Sequence, residues 1–172
     1  MNPSLRWIFA RRSIRAYGRG AVTDAQVKDL LEAAMAAPSA CCKDPWHFVV
    51  IREPDLLRRI AEALPNGKML PDAAVGIAVC GSLREAHDGQ LSYLIQDVSA
   101  AIQNLLLAAS ALGLGACWLG VHPREERIAR VRELLGLSPE VVPIAVIAIG
   151  EPGESKEPRT RYREDKVHRG AW

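Results

Sequence analysis

Four arginines and one serine lie close together near the start of the chain, in the segment Arg11-Arg12-Ser13-Ile14-Arg15-Ala16-Tyr17-Gly18-Arg19. A guanidinium presents paired N–H groups that match phosphate oxygens, and it keeps its charge when it is buried. The segment therefore predicts a site for a phosphate group. Short arginine runs also occur on solvated basic faces and on surfaces that contact nucleic acid, so these two interpretations stay open at this point.

The chain offers few side chains for acid–base or nucleophilic catalysis. It has no G-x-S-x-G motif, and its histidines lie beside no obvious serine or cysteine partner. Its four cysteines, Cys41, Cys42, Cys80 and Cys117, form no C-x-x-C pair, so we expect no metal site. Enzymes that use an organic cofactor need mainly binding, orientation and electrostatics from the protein. A cofactor that carries a phosphate fits both the arginine segment and this shortage.

Length and charge restrict the class of protein. The 172 residues are typical of one domain, or of one domain with an arm. Because 22 basic side chains nearly balance 20 acidic ones, a dedicated nucleic-acid binder is disfavoured. No apolar run reaches the roughly 18 residues of a membrane span, and the N-terminal apolar patch is too short for a signal peptide. We expect a cytoplasmic protein with reduced thiols.

Helical patterns alternate with apolar runs of strand length. Thr23 and Gln26 form a capping-box pattern before an amphipathic helix that ends before Pro38. Pro143 indicates that the last strand lies at an edge or starts irregularly. The order predicts an α/β or α+β class, and no glycine-rich loop supports a Rossmann site. Further helices are predicted over 3–10, 55–64, 90–112 and 123–135, and buried strands over 46–51, 73–80, 116–121 and 141–149.

Two segments point beyond a single folded subunit. The helix over 90–112 is apolar on several sides, which predicts a central helix that packs against a second subunit. Residues 151–172 lack the apolar content to fold alone. They are either a disordered tail or an arm that wraps a partner and delivers arginines, with Tyr162, Val167 and Trp172 as apolar anchors. We expect the arm, and we divide the chain into a domain over 1–150 and an arm over 151–172.

Five segments together resemble the FMN-dependent nitroreductase family, and they follow one another in the family's order. They are RRSIRAY at 11–17, PSACCKDPWHF at 38–48, GLGACWLG at 113–120, VPIAVIAIGEP at 142–152 and the tail PRTRYREDKVHRGAW. The resemblance implies an α+β fold with a mixed central sheet flanked by helices. It also implies an intertwined homodimer that exchanges C-terminal arms and carries two FMN sites at its interface.

The resemblance also implies the residues that bind FMN. Arg11, Ser13 and Arg15 are expected at the phosphate and ribityl chain, with Arg12 contributing through its backbone, and Arg159 and Arg161 reach the phosphate from the tail. Leu119 and Gly120 are expected against the flavin ring, with a backbone N–H near N5. The second subunit is expected to contribute residues that contact the ring, namely Pro38, Ser39, Ala40 and Cys42. Asn66 and Lys68 are expected at the pyrimidine edge of the ring.

The implied activity is an oxidoreductase that moves hydride from NADH or NADPH through FMN to a small acceptor such as a nitroaromatic, a quinone or an enone. The chain departs from the family loop at Cys42, where the family has Asn, and at Asp44, where it has Gln. A thiol is a weak hydrogen-bond partner, so one polar contact to flavin is weakened. Three alternatives stay open: fragmentation of flavin, reductive dehalogenation, and a non-catalytic FMN-binding protein.

Overall fold

Helices and strands alternate along residues 2–172, the part of the chain that the computed structural model describes. The helices are α1 (Arg6–Ala10), α2 (Asp24–Met35), α3 (Pro54–Ala63), α4 (Leu91–Ala111) and α5 (Glu125–Leu135). The strands are β1 (Trp46–Ile51), β2 (Val75–Ser82), β3 (Gly115–Gly120) and β4 (Val141–Gly150). This arrangement confirms the α+β class.

The four strands form one sheet in the order β1-β2-β4-β3. All three neighbouring pairs run antiparallel. Within residues 2–172, parallel pairing occurs only at an isolated bridge between Ser13 and Ala116, on the outer edge of β3. The resemblance implied a sheet with both parallel and antiparallel pairing. Among the described residues of one subunit, the parallel part is limited to this contact with the N-terminal segment.

Helices cover both faces of the sheet, and this explains why its strands are continuous apolar runs rather than alternating ones. On one face, α2 and α4 bury Leu30, Val98 and Leu105 against the sheet. On the other face, α3 and α5 bury Ile60 and Val131. Every residue of β2 is buried as a result.

Helix α4 is the longest helix and lies in the core, as the sequence predicts. By length and composition alone it is apolar enough to cross a membrane. Here its buried residues face α2 and the sheet instead, and they include Leu94, Val98, Ile102 and Leu105. Packing inside the subunit therefore accounts for these residues, and the contact of α4 with a second subunit stays a prediction.

Local signals in the sequence were confirmed at two points. Thr23 and Gln26 form the capping box: the Gln26 N–H donates to Thr23 Oγ1 at 3.2 Å, and the Thr23 N–H donates to Gln26 Oε1 at 2.9 Å. Pro143 lies not at an edge but in β4, between β2 and β3, and the pairing with β2 shifts register at Val79/Cys80, opposite the proline. The irregular alternative is therefore confirmed, because a residue without an N–H cannot continue a regular ladder.

The start of α5 differs from the prediction. The helix begins at Glu125 rather than at Pro123. Glu125 and Glu126 occupy its first turn, where negative charge is favoured by the helix dipole. Gly136 ends it with a positive φ of 62°, a conformation that glycine adopts without steric cost.

Candidate functional site

The two ends of the chain lie side by side. The Arg159 N–H donates to the carbonyl of Phe9 at 3.1 Å, and the Arg12 guanidinium donates to the carbonyl of Glu157. The Lys156 ammonium donates to the carbonyl of Ser13 at 2.8 Å. The first part of the C-terminal segment is therefore held along the N-terminal arginine segment by backbone and side-chain hydrogen bonds.

This contact forms a cavity that we call the arginine cavity, with a volume of about 400 Å³. Its lining includes four arginines, two from each end of the chain: Arg11, Arg12, Arg159 and Arg161. Ser13 also lines it, and no carboxylate does. The positive charges of Arg161 and Arg12 lower the pKa of the Arg159 guanidinium. Four cations held this close repel one another, so the cavity favours a multiply charged anion.

A second cavity, the strand cavity, lies at the end of β3 and has a volume of about 580 Å³. Its lining includes Arg15, Asn66, Lys68, Leu119 and Gly120. The structure thus brings together Asn66, Lys68, Leu119 and Gly120, which the resemblance assigns to the ring, and it adds Arg15, which the resemblance assigns to the phosphate and ribityl chain. Arg15 does not line the arginine cavity and is separated there from Arg11. Trp118 lines both cavities, so the two are neighbours.

Topology exposes the backbone at the end of β3. This strand is at the edge of the sheet, and the Ile14 N–H pairs with its outer edge at the Ala116 carbonyl, at 3.0 Å. Four residues further on, Gly120 is exposed, and no atom lies within 4 Å of the position that a Cβ would occupy there. A side chain at this position would project into open space, so glycine leaves the backbone accessible to a flat ligand.

The loop with Pro38, Ser39, Ala40 and Cys42 lies elsewhere in the subunit and lines neither cavity. The Ala40 N–H donates to Oδ1 of Asp97 in α4 at 2.9 Å. Within one chain, the structure therefore does not bring these four residues to the others. Their assignment to the site of a second subunit stays a prediction.

Both departures from the family loop have a structural context. Cys42 and Asp44 have positive φ values of 52° and 48°, and Cys41 has 52°. Asparagine tolerates this left-handed region better than most residues, so Cys42 keeps a backbone conformation that suits Asn. The Asp44 carboxylate accepts a hydrogen bond from the Ser39 hydroxyl at 2.5 Å, which holds the acid inside the loop.

Sequence reasoning missed Arg127, which lines the strand cavity. Its Nη1 donates to the carbonyl of Gly120 at 3.1 Å. In the sequence Arg124-Glu125-Glu126-Arg127, this residue looks like any solvent-exposed charged residue in the first turn of a helix. The only available signal was that Arg127 belongs to the helix that follows the third strand, because such a helix can place a side chain near the end of that strand.

Cys117 also lines the strand cavity and was not predicted there. Burial raises the pKa of its thiol, although the nearby Arg15 and Lys156 charges oppose this shift. The thiol therefore stays protonated at neutral pH and is a poor nucleophile.

Comparison with known proteins agrees with these features. The model of the nitroreductase family matches residues 8–68 and 62–151. The chain belongs to the nitroreductase family. It is 42% identical over 180 residues to a protein of Archaeoglobus fulgidus named "Putative NADH dehydrogenase/NAD(P)H nitroreductase", and the match covers 100% of both chains.

Solved structures of nitroreductase relatives share the fold over their full length. A protein of Bacteroides thetaiotaomicron superposes with a TM-score of 0.93 at 38% identity, covering 100% of this chain and 99% of that one. A protein of Desulfovibrio desulfuricans, solved in complex with FMN, has a TM-score of 0.85 at 34% identity and covers 100% and 99%. Both likenesses extend through the N-terminal arginine segment and the C-terminal segment.

Proposed function

We propose that this chain is an FMN-dependent oxidoreductase that moves hydride from NADH or NADPH to a small acceptor such as a nitroaromatic, a quinone or an enone, in two alternating half-reactions. The observation that carries the proposal is the pairing of two neighbouring cavities, one lined by four arginines and one beside an open strand end. Names among more distant relatives support it, such as "NADPH-flavin oxidoreductase" in Vibrio harveyi, 28% identical over 171 residues.

The residues present fit FMN. Arg11, Arg12, Arg159 and Arg161 line a cavity without carboxylates, which suits a phosphate dianion. Ser13 lies beside them for the ribityl chain. Arg15, Asn66, Lys68, Leu119 and Gly120 line the neighbouring cavity, whose volume is typical of sites for organic ligands. Asn66 and Lys68 can donate hydrogen bonds to the polar edge of the ring, and Gly120 lets its face approach the strand.

When bound, FMN supplies the hydride-accepting ring, and the chain supplies binding and electrostatics. Arg15 and Lys68 place positive charge where the ring gains negative charge on reduction, and fixed cations in a partly closed site stabilise such charge. Cys117 stays a neutral thiol in the same wall and takes no part as a nucleophile. Because the cofactor would supply the reacting ring, the protein needs few side chains for acid–base catalysis, and its sequence contains few.

The site is completed in a homodimer. The loop with Pro38, Ser39, Ala40 and Cys42 is then contributed by a second copy, which accounts for its absence from the lining of both cavities within one subunit. Exposed aromatic residues on the C-terminal segment support this assembly: Tyr162 is 67% exposed, and Trp172 is fully exposed. Apolar rings of this size favour a partner surface over water. The four free thiols fit a reducing compartment, and we place the protein in the cytoplasm.

An absorbance spectrum of the purified protein tests the proposal. We expect a yellow protein with bound FMN whose absorbance is bleached without oxygen by NADH or NADPH and recovers when an acceptor is added. Parallel lines in double-reciprocal plots support two alternating half-reactions. A colourless protein that does not bind added FMN contradicts the function. Stoichiometric loss of FMN, or release of halide from a halogenated aromatic acceptor, assigns one of the alternative reactions instead.

A further inference from the structure

The strand cavity contains more positive charge than flavin binding requires. Three cations line it, Arg15, Lys68 and Arg127, and no carboxylate does. The Lys156–Glu154 ion pair, at 2.8 Å, does not line the cavity, although the Glu154 carboxylate also accepts the backbone N–H of Arg15 at 2.6 Å. The phosphate of FMN is already served by the four arginines of the neighbouring cavity. Neither Lys68 nor Arg127 forms an ion pair within residues 2–172, and no carboxylate lines the cavity beside them.

Arg127 is the cation for which no role has yet been assigned. Its Nη1 is held by the Gly120 carbonyl at 3.1 Å, which fixes the guanidinium beside the end of β3. Its Nε is buried and has no hydrogen-bond partner within residues 2–172. Its Nη2 has no partner there either, and it is not among the buried atoms. The N–H groups of Nη2 are therefore free for a ligand, whereas Nε is closed off from solvent.

Arg132, on the same helix, has the same local structure without the cavity. Its Nη2 donates to the Val141 carbonyl at 3.2 Å, and its Nε is also buried without a partner in the described chain. Arg132 does not line the strand cavity. A bond from a helix arginine to a strand carbonyl is thus a structural feature of α5, and what distinguishes Arg127 is its place in the cavity wall.

We propose that Arg127 forms an anion subsite for one of the two substrates, so that this protein prefers a reactant that carries a carboxylate or phosphate. The planar, paired N–H groups of a guanidinium match such oxygens. Two sources fit this chemistry: a carboxylate on the acceptor, or the ribose phosphate of NADPH. The inference rests on the proposed function, and it adds the substrate class to it.

Matched substrates and matched variants test the subsite. The substrates are 4-nitrobenzoate and 4-nitrobenzamide, which differ in charge and hardly in size, and NADPH and NADH. The variants are Arg127→Gln and, as control, Arg132→Gln. We expect the unmodified protein to prefer the charged member of at least one pair by about tenfold in kcat/KM, mostly through KM, which is the lower end for a charge-assisted hydrogen bond. Arg127→Gln should abolish that preference, and Arg132→Gln should keep it.

The two arms identify the anion. Loss of the nitrobenzoate preference assigns the subsite to the acceptor, and loss of the NADPH preference assigns it to the dinucleotide phosphate. The proposal is overturned if both preferences survive in Arg127→Gln, or if Arg132→Gln removes them equally. A uniform fall with all four substrates also overturns it, since this result indicates an effect on the flavin rather than on an anion.

Equilibrium binding keeps the subsite testable apart from turnover. Calorimetry with benzoate and benzamide measures the same charge preference on the purified FMN-loaded protein, or on the protein as isolated if it carries no flavin. We expect benzoate to bind about tenfold more tightly, with a preference that weakens as salt is raised and disappears in Arg127→Gln. Equal binding of the two compounds excludes a carboxylate on the acceptor, and it overturns the subsite if NADPH is not preferred over NADH either. Absence of NADH- or NADPH-driven turnover, with the benzoate preference intact, contradicts the proposed function alone.

Discussion

Oδ1 of Asp97 accepts the backbone N–H of Ala40 at 2.9 Å, although Asp97 is only 4% exposed. Its other oxygen, Oδ2, is buried and has no hydrogen-bond partner within residues 2–172. A half-satisfied buried carboxylate is costly, and here it connects the central helix to the loop with Ser39, Ala40 and Cys42. Asp97 therefore positions this loop from inside the core.

Replacing Asp97 should loosen the loop only when the new side chain lacks an oxygen that can accept the Ala40 N–H. Asp97→Ala leaves the Ala40 N–H without its partner, at a cost of about 1–3 kcal/mol, whereas Asp97→Asn keeps a carbonyl acceptor and removes the charge. We expect the Ala40 amide to exchange with solvent much faster in the Ala variant and near the original rate in the Asn variant. Amides inside α4, such as that of Leu105, serve as controls. Unchanged exchange at Ala40 in Asp97→Ala would contradict the positioning role.

Removal of one arginine from the arginine cavity should weaken FMN binding. Arg11→Ala and Arg161→Ala are each expected to cost about 1.5–3 kcal/mol, the value of a lost charge-assisted hydrogen bond. Fluorescence titration of flavin measures this as a rise in Kd of roughly one to two orders of magnitude. Arg19→Ala is the matched control, because Arg19 belongs to the same segment but is exposed and lines neither cavity. Unchanged affinity in both test variants rules out the assignment.

The protein should lose stability as the pH rises above about 9. Burial raises the pKa of the Cys80 thiol from 9.0 to about 12. The folded state therefore holds this proton after the unfolded state has released it, so the contribution is fully present below pH 9 and declines above it. At pH 10.5 the loss amounts to about 2 kcal/mol, at 1.36 kcal/mol per pH unit.

Urea unfolding at several pH values checks this dependence. Cys80→Ala should start less stable, because it leaves a small cavity, but it should show a shallower decline between pH 8.5 and 10.5. Burial also raises the pKa of Tyr17, so this residue adds a pH dependence of its own. Tyr17 is present in both proteins, and the difference between the two stability curves therefore isolates the effect of the Cys80 thiol. Identical slopes would show that Cys80 titrates normally in the fold.

The four thiols should fall into two classes of reactivity. Cys41 and Cys42 are exposed, whereas Cys80 and Cys117 are buried, with raised pKa values. At pH 8 we expect iodoacetamide to label Cys41 quickly and the buried pair only after unfolding, since the thiolate is the reacting species, whereas Cys42 should react slowly where a second subunit covers it. Peptide mass spectrometry of quenched samples follows each site. Rapid labelling of Cys117 in the folded protein contradicts the closed wall of the strand cavity.

Most of the fold was predictable because the strands are continuous apolar runs and the helices have apolar residues at helical spacing, although among α1–α5 only α2 has a side-chain N-cap. The run Trp46–Ile51 matched β1 residue for residue. Element ends were less predictable: β2 starts at Val75 rather than two residues earlier, because residues 73 and 74 still belong to the turn after Pro71. The role of Pro143 depended on which strand pairs with which, and this is a tertiary property.

The candidate site was predictable where a cluster of one residue type carried the signal. The arginine segment is such a cluster, but its division between two cavities was not predictable. Arg11 and Arg15 lie on either side of Ser13, which forms a bridge with Ala116 of β3, and this tertiary contact is not visible in the sequence. Arg127 could not be singled out, because only the β3–α5 packing brings it to the carbonyl of Gly120.

The crowding of guanidinium groups between the two chain ends has a consequence in the cell. Before an anion binds, the arginines repel one another, and this repulsion opposes the closure of the C-terminal segment on the N-terminal one. FMN, which is made from riboflavin, therefore also favours folding. We expect newly made chains that lack it to expose their last twenty or so residues to proteases for longer. Riboflavin starvation would then lower the amount of this protein by shortening its lifetime, even at an unchanged rate of synthesis.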